Sequence, residues 1–370
     1  MSVSDGVGDG VSRCTDAELD ELLTFQRRMH GEGSPVADPA RARWLFGENP
    51  AGRPPGELAI WIVRRDGSIV GTQASIPFRL KLGGEECQAQ SGVDAVVDPQ
   101  WRGKGVAGPL TDAIRAGTRV ACAMGMTPDG YRFSLRHDAT PMGTLPVFVH
   151  LIDARGVFRE AVASRPWLRV AAPLARVAGR VGGLMSRLRS VGAEPVAIDA
   201  FDERADAIWR DASSFYPLIS RRDAAWLRWR FDQCPYRDDY RRWYVVRGKR
   251  VVGYFVLRPR RWHGDTAFTI VDYLGAPRDL AALFACVVRV ARAHDAFAVL
   301  CPTLNAHARP RLHSVGFLRL KQASQAIRIT VWCEAHDSAR DLVVDPKNWF
   351  LTAANSDVDQ YFDERTARTD

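Results

Sequence analysis

The segment that most constrains this chain runs from Val93 to Ala107, because it joins a stretch typical of a buried strand to the start of a helix through a glycine-rich turn. The turn has the spacing Gln100-x-x-Gly103-x-Gly105, with two basic side chains between these positions. Glycines have no Cβ, so a ligand can approach their backbone closely. A helix N-terminus offers free N–H groups and partial positive charge, and the segment therefore predicts a pyrophosphate site.

The turn differs from the two better-known phosphate loops, since a P-loop requires Gly-x-x-x-x-Gly-Lys-Ser/Thr and a Rossmann turn requires Gly-x-Gly-x-x-Gly. Before the turn, residues 91–97 are mainly small or β-branched and predict a strand that stops at Asp98 and Pro99. After it, apolar residues recur every three or four positions over 106–121. This spacing predicts a one-faced helix with Pro109 in its first turn.

This order of elements resembles the acyl-CoA motif of the GNAT acyltransferase superfamily, which is Arg/Gln-x-x-Gly-x-Gly/Ala at a strand–helix junction. Gln100, Gly103 and Gly105 occupy the three defining positions. Upstream, residues 61–74 resemble the hairpin that precedes the motif in the family. The resemblance covers about residues 15–150.

Local signals before the motif agree with the family's order of elements. Asp66 and Gly67 predict a turn between two apolar strands. Thr15 and Glu18 have the spacing of a capping box, which predicts a helix running to about His30.

The resemblance implies acetyl-CoA or another acyl-CoA as co-substrate, and no residue spacing suggests a metal site. In GNAT enzymes the backbone N–H of the strand before the loop stabilises the thioester oxyanion, which here implies Val96 or Val97. The residues assigned to the acyl-CoA are the strand end, the loop and the helix start: Val96, Val97, Gln100, Arg102, Gly103, Lys104, Gly105, Val106 and Ala107.

A second stretch repeats the first in the same order. Residues 44–50 are echoed by 229–235, residues 61–63 by 243–245, and Val93-Asp94 by Val271-Asp272. Offsets that drift by only a few residues predict two copies of one domain. The second copy has no Gly-x-Gly after Asp272, so we interpret it as an acceptor-side wall or a degenerate duplicate.

The predicted fold class is α/β (α+β), with two tandem GNAT-like domains that each contain a mixed, mostly antiparallel sheet flanked by helices. The expected divisions are a disordered N-terminus at 1–14, a GNAT domain with the acyl-CoA loop at 15–154, an arginine-rich amphipathic linker at 155–195, a degenerate GNAT-like domain at 196–335 and a C-terminal tail at 336–370.

Composition supports a soluble globular protein. The 370 residues suffice for two cores, and 46% hydrophobic with 25% charged residues is ordinary for such a protein. No apolar run is long enough for a membrane span, residues 1–11 lack the pattern of a signal peptide, and the seven cysteines form no regular framework. We therefore expect a cytoplasmic protein.

Residues 155–193 are the least ordinary part of the chain, with eight arginines, no lysine and a single acid, Glu160. Aliphatic residues at helical spacing predict one or two amphipathic helices there. They either form a solvated linker or bind an anionic membrane surface or an acyl carrier protein. Nucleic acid is not expected, since no recognition motif accompanies the charge.

Asp94 is the first candidate for the general base, because a carboxylate within an apolar strand has its pKa raised by desolvation. A structural role is equally open, since Asp272 occupies the equivalent place in the second copy. His137, predicted to follow a strand at 131–135, is the second catalytic candidate. Many GNAT enzymes use a tyrosine on the next helix as general acid, but residues 140–153 contain only His150, which leaves the acid unassigned.

The sequence thus predicts an N-acyltransferase that moves an acyl group, first of all acetyl, from acyl-CoA to a primary amine. The acceptor is an amino sugar, an amino acid, a polyamine-like metabolite or a protein amine. One alternative is a transferase that uses acyl carrier protein or long acyl chains. A non-catalytic acyl-CoA-binding protein is the other.

Overall fold

The fold is described from a computed structural model, which covers residues 10–361 except 53, 154–191, 263 and 321–326. Most of the predicted arginine-rich linker therefore lies outside the described residues. The helices are α1 (Leu19–His30), α2 (Pro39–Ala42), α3 (Ala107–Arg115), α4 (Pro128–Arg136), α5 (Arg204–Ala212), α6 (Ala224–Leu227), α7 (Leu280–Ala293), α8 (Ala308–Ser314) and α9 (Arg340–Val344).

The strands are β1 (Val11–Thr15), β2 (Glu57–Arg65), β3 (Ser68–Leu82), β4 (Glu85–Val97), β5 (Val120–Met124), β6 (Thr140–Thr144), β7 (Val147–Leu151), β8 (Ala193–Ile198), β9 (Leu218–Ser220), β10 (Arg241–Arg247), β11 (Arg250–Trp262), β12 (Asp265–Gly275), β13 (Ala298–Leu304), β14 (Leu318–Arg319), β15 (Arg328–Trp332) and β16 (Trp349–Thr352). Most of the pairings between them are antiparallel, and helices flank the sheets, so the predicted fold class is confirmed.

The chain divides into two compact units, each discontinuous in sequence. The first unit takes residues up to 143 together with 233–235 and 328–344. The second unit takes 144–232, 236–327 and the chain from 345 onward. The contiguous domain boundaries drawn from the sequence remain a prediction.

In the first unit the strand order is β1, β2, β3, β4, β5, β15 and β6, with β4 and β5 parallel. Helix α3 packs its apolar side on β2 and β3 through Val106, Leu110 and Ile114. Gly71 on β3 makes this packing possible, because a Cβ there would lie 2.5 Å from a methyl carbon of Val106. The glycine loop is thereby held against a rigid sheet.

The capping box and the helix predicted near the N-terminus are confirmed, whereas residues 11–14, which were expected to be disordered, belong to strand β1 and pair with β2. The Thr15 backbone N–H donates to the Glu18 carboxylate at 2.8 Å in the predicted capping box, and α1 ends at His30. The turn between β2 and β3 is formed by Asp66 and Gly67, both with positive φ. Positive φ at both central residues matches the twist of the flanking strands.

Two sequence predictions near the loop are wrong. The helix predicted over 106–121 ends at Arg115, and β5 begins at Val120. Thr118 and the Arg119 N–H both donate to the Gln88 carbonyl, which brings the chain into the sheet beside β4. The apolar spacing continued past the end of the helix because β5 is buried as well.

The strand predicted at 131–135 is instead part of helix α4. Thr127 caps this helix by accepting the Gly130 N–H, and Pro128 occupies its first position. A short run of mixed residues does not distinguish a strand from a helix by periodicity alone, whereas these start signals do.

In the second unit the strand order is β9, β16, β13, β12, β11, β10 and β8, with β7 and β14 attached beside β13. Strands β12 and β13 are parallel, as β4 and β5 are in the first unit. Helix α7 is almost entirely buried, and it is followed along the chain by β13 and α8.

A local structure recurs in both units where the sequence repeats. Helix α2 is capped by Asp38 and continues into a π-helical turn at Arg43–Gly47. Helix α6 is capped by Asp223 and continues into a π-helical turn at Arg228–Asp232. The recurrence supports the repeat, and tandem duplication itself stays a prediction.

Candidate functional site

The glycine loop joins β4 to α3 with an open face. Asp98 orders its first turn by accepting the Gln100 N–H at 3.0 Å. Gly103 and Gly105 have φ values of 76° and 77°, which side chains rarely tolerate. A Cβ at either position would meet no atom within 4 Å, so the space above the loop is open to a ligand.

Positive charge surrounds the loop. Arg102 is exposed and donates from Nε to the Val97 carbonyl at 3.2 Å. Lys104 is exposed, and its Nζ lies 5.1 Å from the ring centre of Trp101. The side chain of Val106 is buried in the core beneath α3. Of this residue, only the backbone is therefore available to the acyl-CoA. Ala107 is the first residue of α3 and contributes its N–H to the helix N-terminus.

Strand β4 has a backbone edge that opens beside the loop. The β4–β5 ladder pairs Ala89–Gly92 with Val120–Ala123 and stops there. The Asp98 N–H donates to Val70 of β3. Because N–H groups alternate in direction along a strand, Val96 faces β3 and Val97 faces the opening.

Asp94 lies in a β-bulge of β4. The register with β3 changes between Val93 and Val96, and Asp94 has a φ of 50°. Its Oδ2 accepts from Nη1 of Arg41 at 2.8 Å, and the side chains of Asp94 and Arg41 are 8% and 0% exposed. The sequence suggested a pKa raised by desolvation, but the structure supplies a buried guanidinium that favours the ionised carboxylate.

His30 adds a titratable group to this cluster that the sequence reasoning missed. Desolvation lowers the pKa of His30, the Asp94 carboxylate opposes that shift, and the Arg41 guanidinium adds to it. A neutral imidazole near a carboxylate can accept a proton at neutral pH. Two features of the sequence could have indicated this cluster: His30 at the end of the predicted helix, and Arg41 among the apolar residues that follow it.

His137 lies elsewhere in the first unit, at the C-terminal end of α4. Its ring centre is 4.2 Å from that of Phe133, and its Cε1 lies 3.5 Å from where a Cβ on Gly108 would be. Its carbonyl accepts from Arg115 of α3. These contacts place His137 between α3 and α4, and none of them involves Asp94.

A tyrosine does lie on the helix that follows the strand next to the loop. The helix that follows β5 is α4, and it contains Tyr131, whose ring centre lies 4.9 Å from the guanidinium carbon of Arg328. The sequence reasoning missed Tyr131 because it interpreted this segment as a strand. His150 is buried on β7 in the second unit, and burial together with the charge of Arg292 lowers its pKa to about 4. At neutral pH its imidazole is uncharged, so it is not available as an imidazolium general acid.

The corresponding positions of the second unit are differently occupied. Asp272 is fully buried and accepts from Arg222, from Tyr254 at 2.7 Å and from Thr352 at 2.6 Å. At the N-terminus of α7, where the first unit has its glycine loop, stands the buried carboxylate of Asp279. A negative charge at this place opposes the binding of a phosphate group.

Within the described ranges, no group of three or more His, Cys, Asp or Glu residues is arranged to hold a metal ion. None of the helices in the same part of the chain is both long and apolar enough to cross a membrane.

Comparison with known proteins places the loop within a family. Residues 11–132 match the family model described as Acetyltransferase (GNAT) domain. No curated protein sequence matches the chain.

Solved structures share the fold over most of the chain. A GCN5-related N-acetyltransferase from Anabaena variabilis is 12% identical, with a TM-score of 0.54, and the match covers 87% of this chain and 71% of that one. An Enterococcus faecalis protein described as a probable N-acyltransferase is 9% identical, with a TM-score of 0.58 and coverages of 87% and 72%. Saccharomyces cerevisiae N-myristoyltransferase with bound myristoyl-CoA is 9% identical, with a TM-score of 0.51 and coverages of 90% and 85%. At these identities the likeness shows the fold alone.

Proposed function

The chain contains a GNAT domain at residues 11–132 and is an acyltransferase, and on this premise we propose that it transfers an acyl group from acyl-CoA to a primary amine. The observation that carries the proposal is the open glycine loop, which lies directly beside the part of β4 that follows the end of the β4–β5 ladder. A loop of this kind binds a pyrophosphate, and a free strand edge can pair with the amide groups of a pantetheine arm.

The residues of the loop divide the binding between them. The N–H groups of the loop and of the first turn of α3 bind the pyrophosphate, and Arg102 and Lys104 offset its negative charge. Val97 faces the opening next to the loop, so it supports a bond to the pantetheine arm. The thioester then lies further along β4, near the bulge at Asp94. The oxyanion donor is therefore a backbone N–H of that bulge, because the Val96 N–H faces β3.

Proton removal from the amine is assigned to the cluster of Asp94, His30 and Arg41. Arg41 pairs with the Asp94 carboxylate and holds it in place, and a carboxylate so placed can stabilise an imidazolium formed at His30. Tyr131 on α4 is our candidate for returning a proton to the departing thiolate, and His137 between α3 and α4 is the second candidate.

The second unit is assigned to the acceptor side, because Asp279 occupies the place of a phosphate loop there. The acceptor is a small-molecule or protein amine, and the location a cytoplasmic one. An acyl carrier protein or an anionic membrane surface is the alternative partner, through residues 155–193, and it is favoured if salt-sensitive binding to either is found in co-sedimentation or pull-down experiments. The non-catalytic alternative is favoured if acyl-CoA binds but no amine is acylated.

The test of the proposal is calorimetric titration with acetyl-CoA, followed by an acetylation assay with glucosamine, lysine and spermidine. Gly103→Val and Gly105→Val should each weaken acetyl-CoA binding at least tenfold, because the side chain fills the phosphate cradle. Gly56→Val is the matched control, since Gly56 also has a φ of 77° and open space around it. Unchanged acetyl-CoA affinity in both loop variants would contradict the assignment. An equal loss of affinity in Gly56→Val would contradict it as well.

A further inference from the structure

The opening beside β4 ends at two small residues on one face of the sheet, Gly92 and Ala123, which we call the floor of the opening. Gly92 and Ala123 form the last pair of the β4–β5 ladder, and both are partly exposed. Thr330, the partner of Ala123 on β15, contacts Ser134 of α4, so this face is the one covered by α3 and α4. An acyl group that follows the edge of β4 away from the loop arrives at this floor.

The floor is bounded by a polar side chain from β3. Gln73 stands opposite the bulge, and its Oε1 accepts from the Thr111 hydroxyl of α3 at 3.3 Å. Its Nε2 lies 3.4 Å from where a Cβ on Gly92 would be. The amide group of Gln73 therefore covers the end of the opening, between β4 and α3.

Behind Gln73 the interior remains polar. The Ser75 hydroxyl donates to Oε1 of Gln90, and Nε2 of Gln90 donates to the Ile114 carbonyl at 3.2 Å. Ser75 is fully buried and Gln90 is 6% exposed. An alkyl chain that entered here would break these bonds and leave buried polar groups without partners, which disfavours its entry.

The remaining directions are closed. On the opposite face of the same strands, Ser91, Cys122 and Met124 are 0%, 4% and 5% exposed, so their side chains fill that side. Beyond Gly92 the β4–β5 ladder closes the gap between the strands. Among the described residues of the first unit, these contacts therefore oppose the entry of a long apolar chain beyond the floor.

We propose that Gln73, held by Thr111, ends the acyl pocket and restricts the transferred group to a short acyl chain of about two to four carbons. This inference rests on the proposed acyltransfer function and adds the class of acyl donor. Gln73 and Thr111 are specificity-determining residues, with no role in proton transfer.

The test is a calorimetric series with CoA, acetyl-CoA, butyryl-CoA, octanoyl-CoA and myristoyl-CoA on the full chain. An apolar tunnel would tighten binding about fourfold for each added methylene, since each buried methylene contributes about 0.8 kcal/mol. The wild type should instead show no gain beyond butyryl-CoA and at least tenfold weaker binding of octanoyl-CoA than of acetyl-CoA.

Gln73→Leu and the smaller Gln73→Ala should each raise octanoyl-CoA affinity relative to acetyl-CoA about tenfold, and Thr111→Val should act in the same direction. Gln88→Leu makes the same chemical change on β4 outside the opening and should leave the series unchanged. The Gln73→Ala variant and a far-ultraviolet spectrum guard against misfolding of the leucine variant.

Affinity that rises steadily with chain length in the wild type would overturn this inference while leaving acyltransfer intact. An unchanged preference in both Gln73 variants would also overturn it. If no CoA derivative binds at all, the proposed function and this inference both fail.

Discussion

Two aspartates at matching places in the repeat have different surroundings. Asp94 and Asp272 each bind an arginine, but Asp272 is fully buried with three partners, whereas Asp94 lies in a bulge beside the end of the β4–β5 ladder. Arg222 is fixed in turn by Ser220, Thr352 and Asn355. Burial within a satisfied network indicates a structural role for Asp272, while the bulge places Asp94 beside the opening of β4, where we propose that the thioester binds.

Asp94→Asn should therefore lower kcat about 10²–10⁴-fold while acetyl-CoA affinity stays close to wild type. Asp272→Asn should lower the free energy of unfolding by about 3–5 kcal/mol, because it leaves the buried Arg222 uncompensated. Asp94→Asn should also destabilise the protein, because its partner Arg41 is buried as well, so the two roles are distinguished by steady-state kinetics under conditions where both variants are folded: only Asp94→Asn should lower kcat. A stably folded Asp94→Asn enzyme with full activity would remove Asp94 from the mechanism.

The same kinetic assay shows whether His30 takes the proton. If His30 is the base, the rate should fall at acidic pH as His30 is protonated. This acidic limb of the pH–rate profile should lie below the ordinary histidine pKa, because desolvation lowers the pKa of His30. His30→Gln should abolish that limb if His30 is the base. If Asp94 accepts the proton directly, the limb persists in the variant.

His150 makes the stability of the second unit depend on pH. Neither of its ring nitrogens makes a well-formed hydrogen bond within the described part of the chain, and burial lowers its pKa to about 4. The unfolded chain has the ordinary histidine pKa near 6.5. The unfolded state thus binds the extra proton between these values, and stability falls as the pH drops from about 6.5 to about 4.

The loss over this range should be about 3 kcal/mol and should disappear in His150→Leu. Thermal unfolding from pH 4 to pH 8 measures it. His336→Leu is the control, because His336 is exposed. A wild-type and a His150→Leu protein that lose stability equally would show that His150 is not responsible.

Among the elements, the contact between β3 and α3 and the contact between β11 and α7 are built in the same way. Gly71 on β3 and Gly253 on β11 both stand where a helix side chain packs closely on the strand. A Cβ on Gly71 would lie 2.5 Å from a side-chain carbon of Val106. A Cβ on Gly253 would lie 2.7 Å from the Leu274 carbonyl oxygen, which belongs to the backbone of the neighbouring strand.

Gly71→Ala and Gly253→Ala should both destabilise the protein, by about 1–3 kcal/mol for the first. Gly253→Ala should cost more, since a strand carbonyl yields less readily than a valine methyl. Urea denaturation of the two variants measures the difference, with Gly117→Ala as the control at a position with open space. A larger loss for Gly71→Ala would contradict this view of the packing.

Elements that depend on residues a few positions apart could be predicted from the sequence, whereas elements that depend on distant contacts could not. The capping box at Thr15, the turn at Gly67 and the glycine loop at Gly103 follow from residues a few positions apart, and all were predicted. The end of α3 and the helical state of Tyr131 were missed. Apolar spacing describes burial, and both a helix face and a strand face are buried here.

For the molecule as a whole, the number of acyl-CoA sites follows from the difference between the two units. The first unit has an open glycine loop, and the second has the Asp279 carboxylate, bound by Arg247 at 2.7 Å, at the N-terminus of α7. Calorimetry with acetyl-CoA should therefore give one site per chain, and Gly103→Val should remove it. Two equivalent sites would show that the second unit binds the co-substrate as well.

The sequence by itself determined the glycine loop and the GNAT domain that contains it, because a phosphate cradle is a short-range structure made of glycines, neighbouring N–H groups and a helix start. It also indicated the repeat. Only the tertiary structure decided what surrounds Asp94, since Arg41 lies 53 residues away along the chain. It likewise brought Gln73 of β3 over Gly92 of β4, because contacts across a sheet depend on register and bulges that residue spacing does not specify.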